Sequence, residues 1–476
     1  MNELNTEPGR QAEPNSDDVG ASDEGAQDDA SPGDGRRRRG RRSRRPPPPD
    51  IVEADEVEDG HLRIIDPRDA GAEIFSDHGL KLDDIDPDAI KVLRRLHRYG
   101  FQSFLVGGCV RDLLCGLRPK DFDIATSATP RQVKKLFRNS RIIGRRFRLV
   151  HVHFGHHVLE VSTFRREAPK SEGDDPMIRR DNLFGQADED ARRRDFTCNA
   201  LFYDIEANQV IDFIGGMRDI RRKVIEVIGD PVTRLREDPV RMLRAVKFAG
   251  RLRFEIAQDL LEAIDICRDD LRKAAAPRLY EELQRLINRG GAWRSFQLLQ
   301  DTRLLHVFLP ELDDFLETAG RDVGFDNKSA ADRFWSTLKA LDKWVQADNE
   351  ATHVVTLACL FCHFFDHILH HAGPIPEGVP PVTYDIGIVT DEVLGAMAVR
   401  LQMPRRDVYR LTQIILCLRR FISDKTKKRR PSAGQLIRKD YFKDAFDFFQ
   451  IYSQATGKFQ AEVAKWEKRL ESPAAH

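Results

Sequence analysis

Leu105-Val106-Gly107-Gly108-Cys109-Val110-Arg111-Asp112, followed shortly by Pro119-Lys120-Asp121-Phe122-Asp123-Ile124-Ala125-Thr126, carries the densest chemical information in the chain. An apolar strand, Phe104-Leu105-Val106, runs into two glycines, and a short helix is predicted from Val110. Glycine lets backbone amides approach a phosphate, and a helix N-terminus adds partial positive charge. A second strand is predicted over Phe122–Ala125, with Asp121 and Asp123 projecting from one face and Phe122 turned into the core. Two carboxylates held side by side repel each other unless cations lie between them. Two Mg²⁺ ions, hard cations that bind carboxylates and phosphates together, are the expected occupants. Either motif alone reads as an ordinary turn; their succession on apolar strands points to a phosphate and metal site.

Working outward, Asp86 and Pro87 read as N-cap and first residue of a helix that Gly100 stops, with Ile90, Leu93 and Leu96 on one face. Thr129-Pro130 begins another helix. Strands are predicted over Leu149–Phe154 and Val158–Phe164, joined by a Gly155-His156-His157 hairpin. Residues 165–190 read as a long mobile loop. After Asp230-Pro231 the chain reads as helical to its end, with amphipathic segments near 237–253, 257–268, 277–288, 292–300, 330–346, 352–371, 388–402, 405–421 and 440–470. Residues 1–60, poor in apolar side chains, read as a disordered arm. Within it the arginine-rich run Arg36–Arg45 is expected to grip phosphates without reading sequence.

The 476 residues are 41% hydrophobic and 32% charged, which suits a soluble globular protein of several domains. No apolar run of membrane-spanning length and no secretory signal is visible, and seven sparse cysteines suit a reduced, cytoplasmic setting. The overall charge is zero, but residues 1–60 hold 16 acidic and 9 basic side chains out of 77 of each, leaving 61 and 68 in the remainder, a net +7. A basic body suits a polyanionic partner. Neither a P-loop nor a protein-kinase motif set is present, so a triphosphate must be held by another device.

The glycine and aspartate stretches resemble the class II nucleotidyltransferases of the polymerase-β superfamily, which comprise bacterial poly(A) polymerase and the tRNA CCA-adding enzymes. Three further segments match: Arg193-Arg194-Asp195 through Leu201; Gly215-Gly216 with Asp219-Ile220; and Arg236-Glu237-Asp238-Pro239-Val240-Arg241-Met242-Leu243-Arg244-Ala245. The resemblance covers about residues 64–310. It implies an α+β fold, with a polymerase-β-like nucleotidyltransferase head (61–228) followed by an all-helical neck (229–310) and an all-helical RNA-binding body (311–476). It implies transfer of AMP from ATP to RNA 3′ ends, with two Mg²⁺ ions activating the 3′-hydroxyl and stabilising the leaving pyrophosphate. RNA-turnover proteins are expected partners, and no membrane is.

The resemblance assigns Asp121 and Asp123 to metal and catalysis, and Asp195 as the third active-site acid, with Glu160, on a neighbouring strand, as an alternate metal ligand. Gly107, Gly108, Arg111, Asp112, Lys120, Arg194 and Asn199 fall to nucleotide binding, with Lys120, Arg111 and Arg194 as phosphate clamps. Glu237, Asp238, Arg241 and Arg244 belong to the base-recognition motif. Read as one helix, Glu237, Asp238 and Arg241 share a face, where Arg241 can donate paired hydrogen bonds and Asp238 can accept from an exocyclic amine. The bland reading of the same residues is an intrahelical salt bridge.

Leu136–Asn139 and Ile142–Val152, with the basic stretch Arg145-Arg146-Phe147-Arg148, look like the poly(A) polymerase version of the segment, as do Ile65–Arg68 and His78–Leu80, with CCA addition as the alternative; the N-terminal place of the arginine block departs from the family's usual C-terminal basic tail. A non-catalytic RNA-binding protein would need a broken carboxylate pair or clamp, and both are intact. Cys359-Leu360-Phe361-Cys362-His363 matches a haem-attachment pattern, and His363, Asp366, His367, His370 and His371 have metal-like spacing; both are read as structural because the segment is an apolar helix. The basic loop Lys425–Arg430 is expected to touch RNA.

Overall fold

The computed structural model describes residues 64–144, 148–167, 183–319, 328–371, 394–422 and 433–471. The arginine-rich arm, Arg145–Phe147, the centre of the 165–190 loop and the Lys425–Arg430 loop lie outside these residues.

An eight-stranded sheet forms the first layer. Its strands are β1 (Glu73–Phe75), β2 (Ser103–Val106), β3 (Ile124–Thr126), β4 (Ser140–Ile143), β5 (Leu149–Phe154), β6 (His157–Thr163), β7 (Leu201–Asp204) and β8 (Gln209–Asp212), in spatial order β1-β8-β7-β2-β3-β6-β5-β4. Every pairing is antiparallel except β3 with β6, which sets Ile124 opposite Val161. In β2 side chains alternate between the sheet's two faces. Leu105 joins the core under the helices α1 (Pro87–Arg98), α2 (Gly108–Leu114) and α3 (Pro130–Leu136), while Phe104 and Val106 join Phe164, Phe202 and Phe213 on the other side. The helix starts follow their caps. Asp86 accepts from the amides of Asp88 (2.7 Å) and Ala89 (3.2 Å), and Thr129 forms a capping box with Gln132.

Beyond the short helices α4 (Ala187–Arg192) and α5 (Gly216–Arg222), the chain is helical: α6 (Pro231–Glu237), α7 (Val240–Leu252), α8 (Gln258–Cys267), α9 (Ala276–Ile287), α10 (Ala292–Asp301), α11 (Leu304–Phe308), α12 (Pro310–Ala319), α13 (Ala330–Gln346) and α14 (His353–His371), then Arg405–Ile422, Ala433–Ile437, Phe442–Thr456 and Gln460–Leu470. One apolar core runs from Phe196 to Trp466 and passes uninterrupted across residue 310.

Several expectations are corrected. The helix after the glycines starts at Gly108, not Val110, with Gly107 as its N-cap. The third strand begins at Ile124, so Asp121 and Asp123 stand on its extended lead-in and not within it. Residues 187–190 belong to α4 instead of the loop, and Arg165 bridges Phe184 across the gap. The helical half is interrupted by a two-residue strand β10 (Glu255–Ile256), parallel to β9 (Val224–Ile225). The segment 440–470 is two helices, parted where Gly457 adopts φ +68° as a left-handed cap.

Candidate active site

A cavity of about 550 Å³ opens where the sheet's β2–β3 end meets α7 and α9. Eleven basic side chains line it against five acidic ones. Gly107, Gly108, Arg111, Asp112, Lys120, Asp121, Asp123, Arg194, Asp195, Asn199, Asp238, Arg241 and Arg244 all contribute to its wall, so motifs more than a hundred residues apart converge on one space.

The acidic edge is the lead-in to β3. The Val106 amide donates to the Asp123 carbonyl at 3.0 Å, extending the β2–β3 ladder by one bond and fixing the backbone at Asp123. Phe122 packs partly into the core beneath. Burial first, then the charges of Glu160 and Asp121, pushes the Asp123 carboxyl up to about 6, although Arg194 draws it down. Glu160 gains its influence through β6, which runs parallel beside β3; its carboxylate also lies 3.3 Å from His151 Nε2. Arg289 lies 3.9 Å from Asp121. Asp121 and Asp123 thus line the cavity, and Glu160 acts on Asp123 from the neighbouring strand.

The cationic wall is a continuous network. Arg251 Nη2 donates to Asp112 at 2.8 Å, and Arg111 Nε donates to the same carboxylate at 2.9 Å. Arg111 also donates to Asn199 Oδ1, and its guanidinium lies 4.7 Å from the Phe248 ring centroid. Asn199 Nδ2 donates to Asp195 at 3.0 Å, and Asp195 accepts from Arg244 Nε at 2.7 Å. Arg244 reaches Glu282 at 3.7 Å, and Glu282 accepts from Lys247 Nζ at 2.6 Å. Arg244, Asn199 and the Phe196 amide together hold the Asp195 carboxyl well below the usual range despite its burial. Its negative charge is therefore spent within the wall. Arg194 pairs with Asp190 at 2.8 Å and packs against Gly107, where a Cβ would stand 2.8 Å from its Nη1. With φ +72° besides, Gly107 is required to be glycine.

Glu237, Asp238 and Arg241 do not share a helix. Asp238 sits between α6 and α7 with φ −149°, because the residue before a proline avoids the helical region. Its carboxylate accepts two bonds from Arg278, at 2.9 and 2.8 Å. Arg241 donates to the Arg234 carbonyl at 2.7 Å and lies 3.5 Å from Glu237. Sequence reasoning missed Arg278, Arg251, Lys247, Glu282, Arg285 and Arg289. Those on α9 and just after it repeat at helical spacing, Arg278, Glu282, Arg285 and Arg289, which was the available signal. In α14, His363 is buried and bonded to Thr337 Oγ1 at 2.9 Å, within the apolar core.

Paired acids on a β-sheet rim, facing a glycine turn at a helix start and a cation-lined cavity, define a nucleotidyltransferase head. Residues 103–226 match the profile of the poly A polymerase head domain, and residues 253–316 match that described as the probable RNA and SrmB-binding site of polymerase A. Poly(A) polymerase I of Salmonella typhimurium is 36% identical over 408 residues, 83% of this chain and 85% of the relative. That of Haemophilus influenzae is 34% identical over 395 residues, 80% and 84% of the two chains. The CCA-adding enzyme of Lactobacillus helveticus is 38% identical, but over 226 residues, 47% of this chain and 55% of the relative. The CCA-adding enzyme of Bacillus stearothermophilus, solved with CTP, superposes with a TM-score of 0.55 at 25% identity over 81% of this chain and 83% of the other. The chain belongs to the poly(A) polymerase family of nucleotidyltransferases.

Proposed function

We propose that this enzyme adds AMP from ATP, repeatedly and without a template, to the 3′ ends of RNA in the cytoplasm, using Mg²⁺. The observation that carries the reading is the pair Asp121 and Asp123 on the wall of a cation-rich cavity, with the Asp123 carboxyl raised by burial and by the charges of Glu160 and Asp121. Such a donor set, hard oxygen ligands with excess negative charge, fits Mg²⁺ held jointly by protein and phosphate. Bound there, Mg²⁺ supplies Lewis-acid activation of the 3′-hydroxyl and charge neutralisation at the leaving pyrophosphate.

The chain's own residues do the rest. Asp121, Asp123 and Glu160 fix where the reacting groups meet. Lys120, Arg111 and Arg194 orient the triphosphate, with Gly107 and Gly108 admitting it close to the backbone. Asp195 acts by holding Arg244 and Asn199 in place, and this separates its role from that of Glu160. Asp238 and Arg241 read the base edge, which asks Asp238 to exchange Arg278 for the exocyclic amine. With residues 61–228 as head and 229–310 as neck, the body over 311–476 carries the RNA, and RNA-turnover proteins are the partners expected to meet the tail. Seven unpaired cysteines support a reducing compartment, and among the described residues no helix is long and apolar enough to cross a membrane.

The test is incubation of the protein with a generic RNA and each nucleoside triphosphate separately, with and without Mg²⁺, followed by sizing of the products. Long ATP-dependent tails are expected. Products stopping at one to three nucleotides would favour CCA addition, and no Mg²⁺-dependent incorporation would overturn the enzymatic reading.

A further inference from the structure

A second groove, of about 460 Å³, lies between α10 and α13. Trp293, Gln297, Trp335 and Lys339 line it, with Lys328 and Asp332 at its edge. Both indoles are half-buried, and Lys339 Nζ stands 4.5 Å from the Trp293 ring centroid. Asp332 Oδ2 accepts from the Ser329 amide at 2.9 Å and its hydroxyl at 2.8 Å to close the cap of α13. Aromatic faces beside ammonium groups are the chemistry that binds single-stranded nucleic acid, because every base offers a π face and every linkage a phosphate.

The groove is tied to the catalytic cavity by a short, pinned corner. Arg289 lines the cavity beside Asp121, and Trp293 follows four residues later in the first turn of α10. Asp342 of α13 accepts from the amides of Ala292 at 2.7 Å and Trp293 at 3.0 Å, and Gln346 donates to the Gly290 carbonyl at 3.1 Å. The N-terminus of α10 is therefore held at a fixed place relative to α13.

We propose that this groove holds one nucleobase of the RNA strand, some nucleotides upstream of the 3′ end, stacked on Trp335 and Trp293, with Lys339 against the adjoining phosphate. The proposal deepens the RNA-extending reading above and rests on it. A stacking site indifferent to base identity lets a growing tail shift through it one residue at a time while the end stays in the cavity.

The test uses the full chain with oligoadenylate primers of about three and about fifteen nucleotides, reading binding by intrinsic tryptophan fluorescence and extension by initial rates. Quenching by the long primer but not the short one is expected in the wild type. Trp335→Ala and Lys339→Glu should each weaken long-primer binding about tenfold and raise its KM in step, leave kcat and all short-primer constants unchanged, and Trp335→Phe should restore most of the loss. Unchanged long-primer affinity and quenching in both variants, as for a groove reserved for a protein partner, would overturn the proposal. So would equal losses with both primers. Lys339→Glu, at an exposed position, keeps the test decisive if Trp335→Ala folds poorly. The fluorescence arm is independent of chemistry, so a wild type that binds and quenches without adding AMP would count against the polyadenylation reading and not against the groove.

Discussion

Asp123 and Asp195 are both acids on one cavity, yet their surroundings give them opposite energetics. Asp123 is destabilised by burial and by Glu160 and Asp121, whereas Asp195 is stabilised by Arg244, Asn199 and a backbone amide. Asp121→Ala and Asp123→Ala are expected to reduce AMP incorporation by roughly 10³-fold or more, with an unchanged or slightly raised Tm in EDTA because repulsion is relieved. Near-normal rates in either variant would remove the metal assignment. Asp195→Ala should instead cost about 3 kcal/mol of stability, since it strips the half-buried Arg244 guanidinium of its main partner. Urea unfolding distinguishes the two, and a stable, inactive Asp195→Ala would argue for a direct catalytic role. The acid pair was legible in the sequence because its chemistry is local: two residues, one spacing, one flanking strand. The wall that holds Asp195 was only half legible. Asn199 and Arg244 fall inside recognised motifs, but Glu282 and Arg251 complete the network from 35 and 139 residues away from their partners Lys247 and Asp112, and no local pattern announces such pairings.

Side-chain caps set several of the helix starts. Asp86-Pro87 and Thr129-Pro130 start helices where their side chains can accept the first free amides, so these starts could be read directly. Asp238-Pro239 carries an equally local signal, the exclusion of the pre-proline residue from the helical region, and it parts α6 from α7. Reading 237–253 as one helix gave hydrophobic periodicity too much weight against that proline. In α14 the sequence offered a haem-like pattern, and packing settles its physical character. His363 lies against Thr337 and Tyr452, and burial, aided by Arg333, pushes its imidazole down to about 3. In the unfolded chain the same group takes a proton near 6.5. Between these values the unfolded state holds more protons, so stability is complete above about 6.5 and is lost as pH falls toward 3. The loss from this one residue between about pH 7 and pH 5 should be about 2 kcal/mol. His363→Gln should flatten that part of the pH profile in urea titrations, and an unchanged profile would show that the folded imidazole is protonated.

Across the whole molecule, one cation-lined cavity must serve a nucleotide and an RNA end, and the means of telling ATP from CTP is not confined to the base edge. In the proposed reading, Asp238 exchanges Arg278 for the base, and with Arg241 it then offers an acceptor and a donor that suit the exocyclic amine and ring nitrogen of either adenine or cytosine. They therefore exclude UTP and GTP better than they separate ATP from CTP. Product length must follow from how the RNA is held. Backbone and stacking contacts position a strand without specifying its sequence or shape. If Arg36–Arg45 grips phosphates as the sequence leads one to expect, deleting residues 1–60 should leave kcat unchanged while reducing the slope of log K against log salt by about three to four, as for the loss of about five phosphate contacts on a single strand. An unchanged slope would show that the arm does not touch RNA. An enzyme that stops after three additions needs its RNA measured by a tRNA-shaped body. The sequence likeness here runs over 83% of the chain with a poly(A) polymerase but over 47% with a CCA-adding enzyme. The enzyme is accordingly expected to use ATP repeatedly on many RNAs and CTP poorly. Competition between the two nucleotides on a tRNA lacking its terminal triplet, run beside an unstructured primer, checks this. Equal use of CTP on the tRNA, or products of one to three nucleotides on the unstructured primer, would place control of length in the protein body and refute repeated addition.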